Sequence, residues 1–263
     1  MKSTWTSIPP ALDGNNMKRD SLGDRMKGYE RLGESQLMPR VPVLIRLDGK
    51  AFHTLTKGMD KPFDHKLMQC MEVATKFACQ HMQGAQFAYT QSDEISILLT
   101  DWDTYTTGAW FCYRVQKMAS VAASLATAGF NRAFGPLFAG TKFEQRLALF
   151  DARVWNVPRH EVANYYVWRQ QDWQRNSVHM AGRAQFSAKQ LHRKSGLVVR
   201  EMLREAGHPW EDLTTQERLG FVYHRADKGW EADREIPVFS EDREYIEKHM
   251  PEVFWREFEA EGK

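Results

Sequence analysis

Between Val41 and Trp155 the chain alternates short apolar runs with longer amphipathic ones, in the order strand, helix, strand, strand, helix, strand. That order restricts the fold more than any other feature of the sequence. Val41 to Leu47 is apolar and β-branched with one Arg, and it stops at Asp48-Gly49, so it reads as a buried strand; Pro42 is tolerable near its start. Asp64 to Gln83 reads as a helix with a stripe of Leu67, Met71, Ala74, Ala78 and Met82, capped by Asp64 and ended by Gly84. Gln86 to Gln91 and Ile95 to Thr100 read as a hairpin turning at Ser92-Asp93-Glu94. Trp110 to Ala126 is a second helix, and Leu147 to Val154 is a last strand closed by Pro158. The series predicts an α+β fold built on a ferredoxin-like βαββαβ unit. Right-handed crossovers place both helices on one face of a four-stranded antiparallel sheet and leave the other face open.

The flanks carry weaker signals. Met1 to Asn16 reads as a loose arm, and a helix starts near Asp20 or Ser21, with Leu22, Met26 and Tyr29 on one side. Glu161 to Gln185 and Ser187 to Ala206 read as helices, and Trp210 to Lys263 as irregular chain with short helices. Phe130 to Leu147 matches no pattern. The expected division is an arm over 1–16, a core over 17–158 and a helix-rich region over 159–263. With 42% hydrophobic and 27% charged residues in 263, disorder of the whole chain is excluded. No apolar run approaches the roughly 20 residues that span a bilayer. No membrane partner is expected, and a cytoplasmic location is. Three cysteines without CxxC spacing argue against a disulfide framework or a structural zinc and fit a reducing compartment, where they read as buried small hydrophobes. The net charge of +2 hides an asymmetry. Arg169 to Arg200 holds seven bases and one acid, whereas Glu231 to Lys263 holds eleven acids and five bases. The basic stretch suits a polyanion, and Arg169, Arg175, Arg183, Lys189, Arg193 and Lys194 are its candidate phosphate contacts.

In the βαββαβ arrangement the first and third strands are neighbours. Asp48 therefore meets the turn of Asp93 and Glu94 at one end of the sheet, although 45 positions separate Asp48 from Asp93. Crowded carboxylates repel unless a cation lies between them. Mg²⁺ favours oxygen ligands, keeps waters, and is held by one or two carboxylates with substrate phosphates. Gly49 lets its carbonyl face such an ion, and the amides of Lys50 to His53 form a nest for a triphosphate, with Arg46 and Lys61 as phosphate cations. Arg114 and Lys117, three apart on a helix, are candidates for the triphosphate or an RNA 5′ end. Phe52 is placed either on a guanine base or in the core, with the core favoured.

Arg46-Leu-Asp-Gly-Lys-Ala-Phe-His53, Lys61-Pro62 and Ala88-Tyr-Thr-Gln-Ser-Asp-Glu94 resemble the tRNA-His guanylyltransferase family, including its Thg1-like 3′-to-5′ RNA polymerases. Trp110-Phe111 with Arg114, Lys117 and Ser120, then Phe150-Asp-Ala-Arg153, and Tyr165 to Asn176 agree with it. The resemblance implies a polymerase-palm core and two Mg²⁺ ions, with Asp48, the Gly49 carbonyl and Asp93 as ligands. Asp48, Asp93 and Glu94 are the implied catalytic acids. Nucleotide contacts fall on Arg46, Asp48, Gly49, Lys50, Ala51, Phe52, His53, Lys61, Ser92 and Asp93. RNA or triphosphate contacts fall on Arg114, Lys117, Arg169, Arg175 and Asn176. ATP and GTP are the implied substrates, tRNA the implied partner and a homotetramer the implied assembly.

The implied reaction activates a tRNA 5′-phosphate and then adds a nucleotide, GTP preferred, to the 5′ end. From Gln174 to Met180 the chain reads Gln-Arg-Asn-Ser-Val-His-Met, where the eukaryotic enzymes carry His-Ile-Asn-Asn-Leu-Tyr-Asn; only Asn176 matches. This departure points to the Thg1-like branch and to templated repair of 5′-truncated tRNA. The alternatives are addition of the extra guanosine of tRNA-His, or a palm-type small-nucleotide transferase or cyclase. A non-catalytic RNA-binding module would need an RNP1-like strand, which Gln86 to Gln91 does not supply.

Overall fold

The computed structural model describes residues 21–104 and 106–252. The expected loose arm and the end of the acidic tail lie outside these residues. A first unit ends at Glu34 and a second begins at Ser35. In the first, helix α1 (Ser21–Arg31) buries none of its side chains.

The second unit contains strand β1 (Val43–Gly49), the short helix α2 (Phe52–Leu55), helix α3 (His65–His81), strands β2 (Ala85–Gln91) and β3 (Glu94–Leu99), helix α4 (Val115–Leu137) and strand β4 (Phe150–Asn156). The strand order β4-β1-β3-β2 is antiparallel throughout, so the βαββαβ unit is present with β1 beside β3. After it come α5 (Val162–Gln185), α6 (Ala188–Leu191), α7 (Gly196–Glu205), α8 (Thr215–Leu219), strands β5 (Phe221–Ala226) and β6 (Gly229–Asp233), and α9 (Glu244–Glu247).

Period-two alternation divides the sheet into two faces. Val43, Ile45, Leu47, Ile95, Ile97 and Leu99 point to one side, where they pack with Met71, Ala74 and Ala78 of α3 and Met118, Ala122 and Phe130 of α4. Helices α3 and α4 approach so closely that a Cβ on Gly129 would lie 2.9 Å from Phe77 and 3.0 Å from Ala74. Asp64 caps α3 as expected, accepting from the Leu67 amide at 3.1 Å.

The other face is not open. Leu44, Phe87, Tyr89, Leu98 and Val222 pack against Val162, Ala163, Tyr166 and Val167 of α5. The Gln170 side chain holds the returning C-terminal segment on α5, accepting from the Phe239 amide at 2.7 Å and donating to the Pro237 carbonyl at 3.0 Å. Along this face the apolar cover ends where Arg46 and Asp48 replace Leu44 in the alternation.

Other expectations need correction. Helix α4 runs on to Leu137, through the stretch that matches no sequence pattern, and Phe130 and Phe134 continue its buried side there. Ser187 to Ala206 is two helices, each with its own serine cap, Ser187 and Ser195, separated at Arg193 with φ 58°. The C-terminal region contains the β5–β6 hairpin, which extends the sheet to six strands by pairing β5 with β2. Phe221-Val222-Tyr223 is a strand-forming run, and Asp227-Lys228 makes the turn before Gly229. Cys70 and Cys79 are free and buried, but Cys112 is exposed. Among the described residues no helix is long and apolar enough to cross a membrane.

Candidate active site

Three adjacent strands bring acids into one row. Asp48 of β1 stands opposite Glu94 of β3 on one side and Asp151 of β4 on the other. Residues directly opposite across an antiparallel pair point to the same face, and like charges there repel. A two-residue turn, with Ser92 at φ 49°, joins β2 to β3 and adds Asp93. The Gly49 amide donates to the Asp93 carbonyl at 3.0 Å and so ties the end of β1 to that turn.

Burial first, and crowding after it, shifts these carboxyls. Burial pushes Asp48 above the ordinary carboxylate range and Asp151 adds to it, while Arg46 and Arg169 oppose. Burial likewise raises Asp93; a hydrogen bond from Ser92 and its own amide oppose this, and the charges of Asp48 and Glu94 add to it. Glu94 is raised by burial, against the pull of Arg169 and Arg46. Positive charge beside such a row favours its ionised form. Arg169 supplies part of it. Its Nε and Nη2 each donate to one Glu94 oxygen at 2.6 Å, a charged two-pronged pair. Arg46 stands 4.0 Å from Glu94, and its Nε has no hydrogen-bond partner among the described residues.

Two cavities open beside the row. A cavity of about 360 Å³ is bounded by Asp48, Asp93 and Glu94 on the sheet and by Arg169, Asp172, Asn176, His179 and Arg183 on α5. A larger one of about 550 Å³ is bounded by Gly49, His53 and Lys61 on one side and by Phe63, Leu67, Met71, Trp173 and Phe221 on the other. They share Gln91, Ser92, Asp93, Trp173, Met180 and Arg183. An apolar chamber meets an acidic one at Asp93, so the pair can take a ligand with an apolar and a charged part.

Several expected contacts fall elsewhere. The Phe52 ring is in the core, edge-on to Phe130 and Phe150 at 5.3 and 5.2 Å, and the residue still borders the larger cavity. A Cβ on Gly49 would come within 2.3 Å of that ring, which is why glycine follows Asp48. The Lys50 amide donates to the Leu149 carbonyl at 2.8 Å and is not part of the nest. The remaining turn runs through Ala51, at φ 54°, into α2, whose first amides have no carbonyl within their helix to reach.

Arg169 is buried, is held by Glu94 and borders the acidic cavity. Arg175 is exposed and bonded to Asp172 at 2.8 Å, while Asn176 borders the acidic cavity. Arg114 and Lys117 lie at the opposite end of the sheet. Arg114 bridges to Gln36, ahead of β1, and the Tyr113 carbonyl accepts from the Leu37 amide, whereas Asp48 closes β1. Neither borders these cavities. Asp151, Asp172 and His179 belong to the site although the sequence alone assigns them no role in it, and Arg183, expected among the contacts to tRNA phosphates, borders both cavities. The register of β1 on β4 pairs Asp151 with Asp48, and it is set by the fold.

A family model described as tRNAHis guanylyltransferase (Thg1) matches residues 23–158. The chain belongs to the tRNA-His guanylyltransferase family. That family consists of nucleotidyltransferases, and its match covers β1 to β4 with every acid of the row. A bacterial Thg1-like protein solved in complex with ATP is similar at 42% identity, with a TM-score of 0.82 over 87% of this chain and 98% of that one. A bacterial Thg1-like protein in complex with GTP is similar at 39% identity, with a TM-score of 0.74 over 89% of this chain and 100% of that one. The tRNA(His) guanylyltransferase of Schizosaccharomyces pombe is 32% identical over 157 residues, 59% of this chain and 57% of that protein. The chain thus spans a little over half the length of that yeast relative.

Proposed function

We propose that this member of the Thg1 family is a Mg²⁺-dependent 3′-to-5′ nucleotidyltransferase that adds nucleotides, GTP preferred, to the 5′ end of tRNA, restoring 5′-truncated tRNA against its opposite strand. The observation that carries the reading is that Asp48 and Asp93 border one acidic cavity, which meets an apolar one at Asp93. The bacterial relatives' complexes with ATP and GTP support nucleotides as substrates.

The residues present suit Mg²⁺. Their donors are hard oxygens, the carboxylates of Asp48 and Asp93 and the Gly49 carbonyl, and both carboxyls border one cavity. Among the described residues no set of three or more His, Cys, Asp or Glu side chains is arranged around a metal, so waters and substrate phosphates would complete the shell. When bound, two such ions polarise phosphoryl oxygens and stabilise attacking and leaving oxygens.

In the first step an oxygen of the RNA 5′-phosphate attacks the α-phosphorus of ATP or GTP; a 5′-to-5′ phosphoanhydride forms and pyrophosphate leaves. In the second, the 3′-hydroxyl of an incoming GTP attacks the RNA 5′-phosphorus and loses its proton. The new phosphodiester forms and the activating nucleoside monophosphate leaves. Asp48 and Asp93 orient these oxygens. Arg169 engages both oxygens of Glu94 and fixes its orientation, and the apolar wall around Trp173 and Phe221 keeps the base dry. The palm architecture, a homotetramer and a cytoplasmic setting belong to the same reading.

The test is extension of 5′-labelled tRNAs, intact and lacking one 5′ nucleotide, with GTP and with or without ATP and Mg²⁺. The expected result is a one-nucleotide, Mg²⁺-dependent product on the truncated tRNA. Untemplated addition to intact tRNA-His alone would instead identify the extra-guanosine activity.

A further inference from the structure

Helix α5 presents Asp172, Trp173, Asn176, His179, Met180 and Arg183 to the cavities at spacings of three and four, which is one face of a helix. The charges along that face are not equivalent. Arg169, one turn earlier, is engaged twice by Glu94 and lies 3.4 Å from Asp172. Asp172 in turn accepts from Arg175. Arg183 is exposed, borders both cavities, and makes no ion pair or hydrogen bond among the described residues.

The acidic cavity is also unlike its neighbour. Its apolar lining is limited to Trp173 and Met180, so it offers a base little to stack on. It is the polar half of the site, and it presents a guanidinium, an imidazole and an amide across from the carboxylates. Those are donors for phosphate oxygens.

We propose that Arg183, flanked by His179 and Asn176, binds the 5′-terminal phosphate of the RNA in the acidic cavity, while the incoming nucleotide occupies the apolar one. This deepens the function proposed above and rests on it. In that position Arg183 recognises the end to be extended rather than the tRNA body. A nucleotide triphosphate reaching out of the apolar cavity offers the same chemistry, so the experiment must separate the two sources.

The measurement is fluorescence anisotropy of a 3′-labelled tRNA lacking its first nucleotide, carrying either a 5′-phosphate or a 5′-hydroxyl, with Mg²⁺ and without nucleotide so that nothing is added. A fluorescent GTP analogue is titrated in parallel. The unmodified protein is expected to bind the 5′-phosphate form about tenfold more tightly, as one charge-assisted hydrogen-bonded pair allows. Arg183→Gln removes that preference and leaves the affinity for 5′-hydroxyl RNA and for the GTP analogue as it was, whereas Arg183→Lys keeps part of the preference. Arg183 is on the surface, and an unchanged melting curve shows that the variant is folded. The proposal is overturned if Arg183→Gln keeps the preference, or if it weakens GTP and leaves the preference intact, which would assign Arg183 to the triphosphate. Nucleotide addition by a protein that does not discriminate between the two RNA ends would overturn this proposal alone. Failure to add nucleotide to any tRNA would overturn it together with the function it rests on.

Discussion

Among its individual residues, the site is a problem of like charges held close. Removing Asp48 or Asp93 relieves repulsion in the folded protein while deleting a group the chemistry needs. Asp48→Asn and Asp93→Asn should therefore retain or raise the melting temperature and lower nucleotide addition by about a thousandfold, the upper order for loss of one preorganised charge-stabilising group. A calorimetric scan and a primer-type extension assay read the two effects separately. Arg169→Gln acts in the opposite sense, leaving Glu94 buried without its guanidinium. It should destabilise by about 3 kcal/mol, in line with breaking a buried pair from one side, measurable as a lower urea midpoint.

His249 offers a check far from the acids. Burial, with His224 and Lys248 adding, holds its imidazole down at about 4 against an ordinary 6.5. As pH falls below 6.5 the unfolded chain takes up a proton that the folded chain refuses, so stability falls between about pH 6.5 and 4 and levels off below. His249→Gln should flatten that part of a urea-midpoint profile.

Between secondary-structure elements, glycines mark where segments cannot separate. Gly220 has φ +85°, and a Cβ there would lie 2.6 Å from the Thr90 carbonyl and 2.8 Å from the Tyr89 ring. It sits where α8 passes into β5, beside the apolar cavity, and Tyr89 donates to the Leu219 carbonyl at 2.7 Å. Gly220→Ala should therefore loosen the β2–β5 edge, costing about 1–3 kcal/mol. Hydrogen exchange should quicken in β5 and β6 and stay slow in β1 and β3.

The elements that surround the acids are legible in the sequence because local rules govern them. The Asp48-Gly49 stop, the Asp64 cap and the alternating strands need no distant partner to be recognised. The β5–β6 hairpin is hidden because its charged strand β6 is a mostly exposed outer strand and lacks an apolar run. The second serine cap, Ser195, is what divides the single helix expected over Ser187 to Ala206. Arg169 defeats a local reading for a related reason. A basic stretch reads as surface, and nothing local indicates that one of its arginines turns inward to a glutamate 75 positions away.

In the molecule taken whole, the βαββαβ unit supplies the acids of the row, and the chain beyond Pro158 completes the acidic cavity through α5 and the apolar one through α5, α8 and β5. The family match ends at residue 158. Substrate selection is thus expected to depend on the part of the chain that the match does not cover. The exposed bases after Arg183, namely Lys189, Arg193 and Lys194, remain candidates for holding the tRNA body. Their collective substitution by Gln should weaken tRNA binding uniformly and reduce the steepness of its salt dependence, by about one unit of slope for each phosphate no longer neutralised. Arg114 and Lys117, at the far end of the sheet, should leave nucleotide binding to the isolated chain unchanged when replaced.

The proposed chemistry requires that Asp48 and Asp93 act together on one divalent ion beside the nucleotide. Titration of Mn²⁺ in the presence of GTP, followed by electron paramagnetic resonance, tests this without requiring turnover. Asp48→Asn and Asp93→Asn are each expected to weaken binding of the ion by about tenfold or more, and the double variant to fall short of the product of the two losses because one shared site is already broken. Wild-type affinity in either single variant would mean that the two acids share no ion.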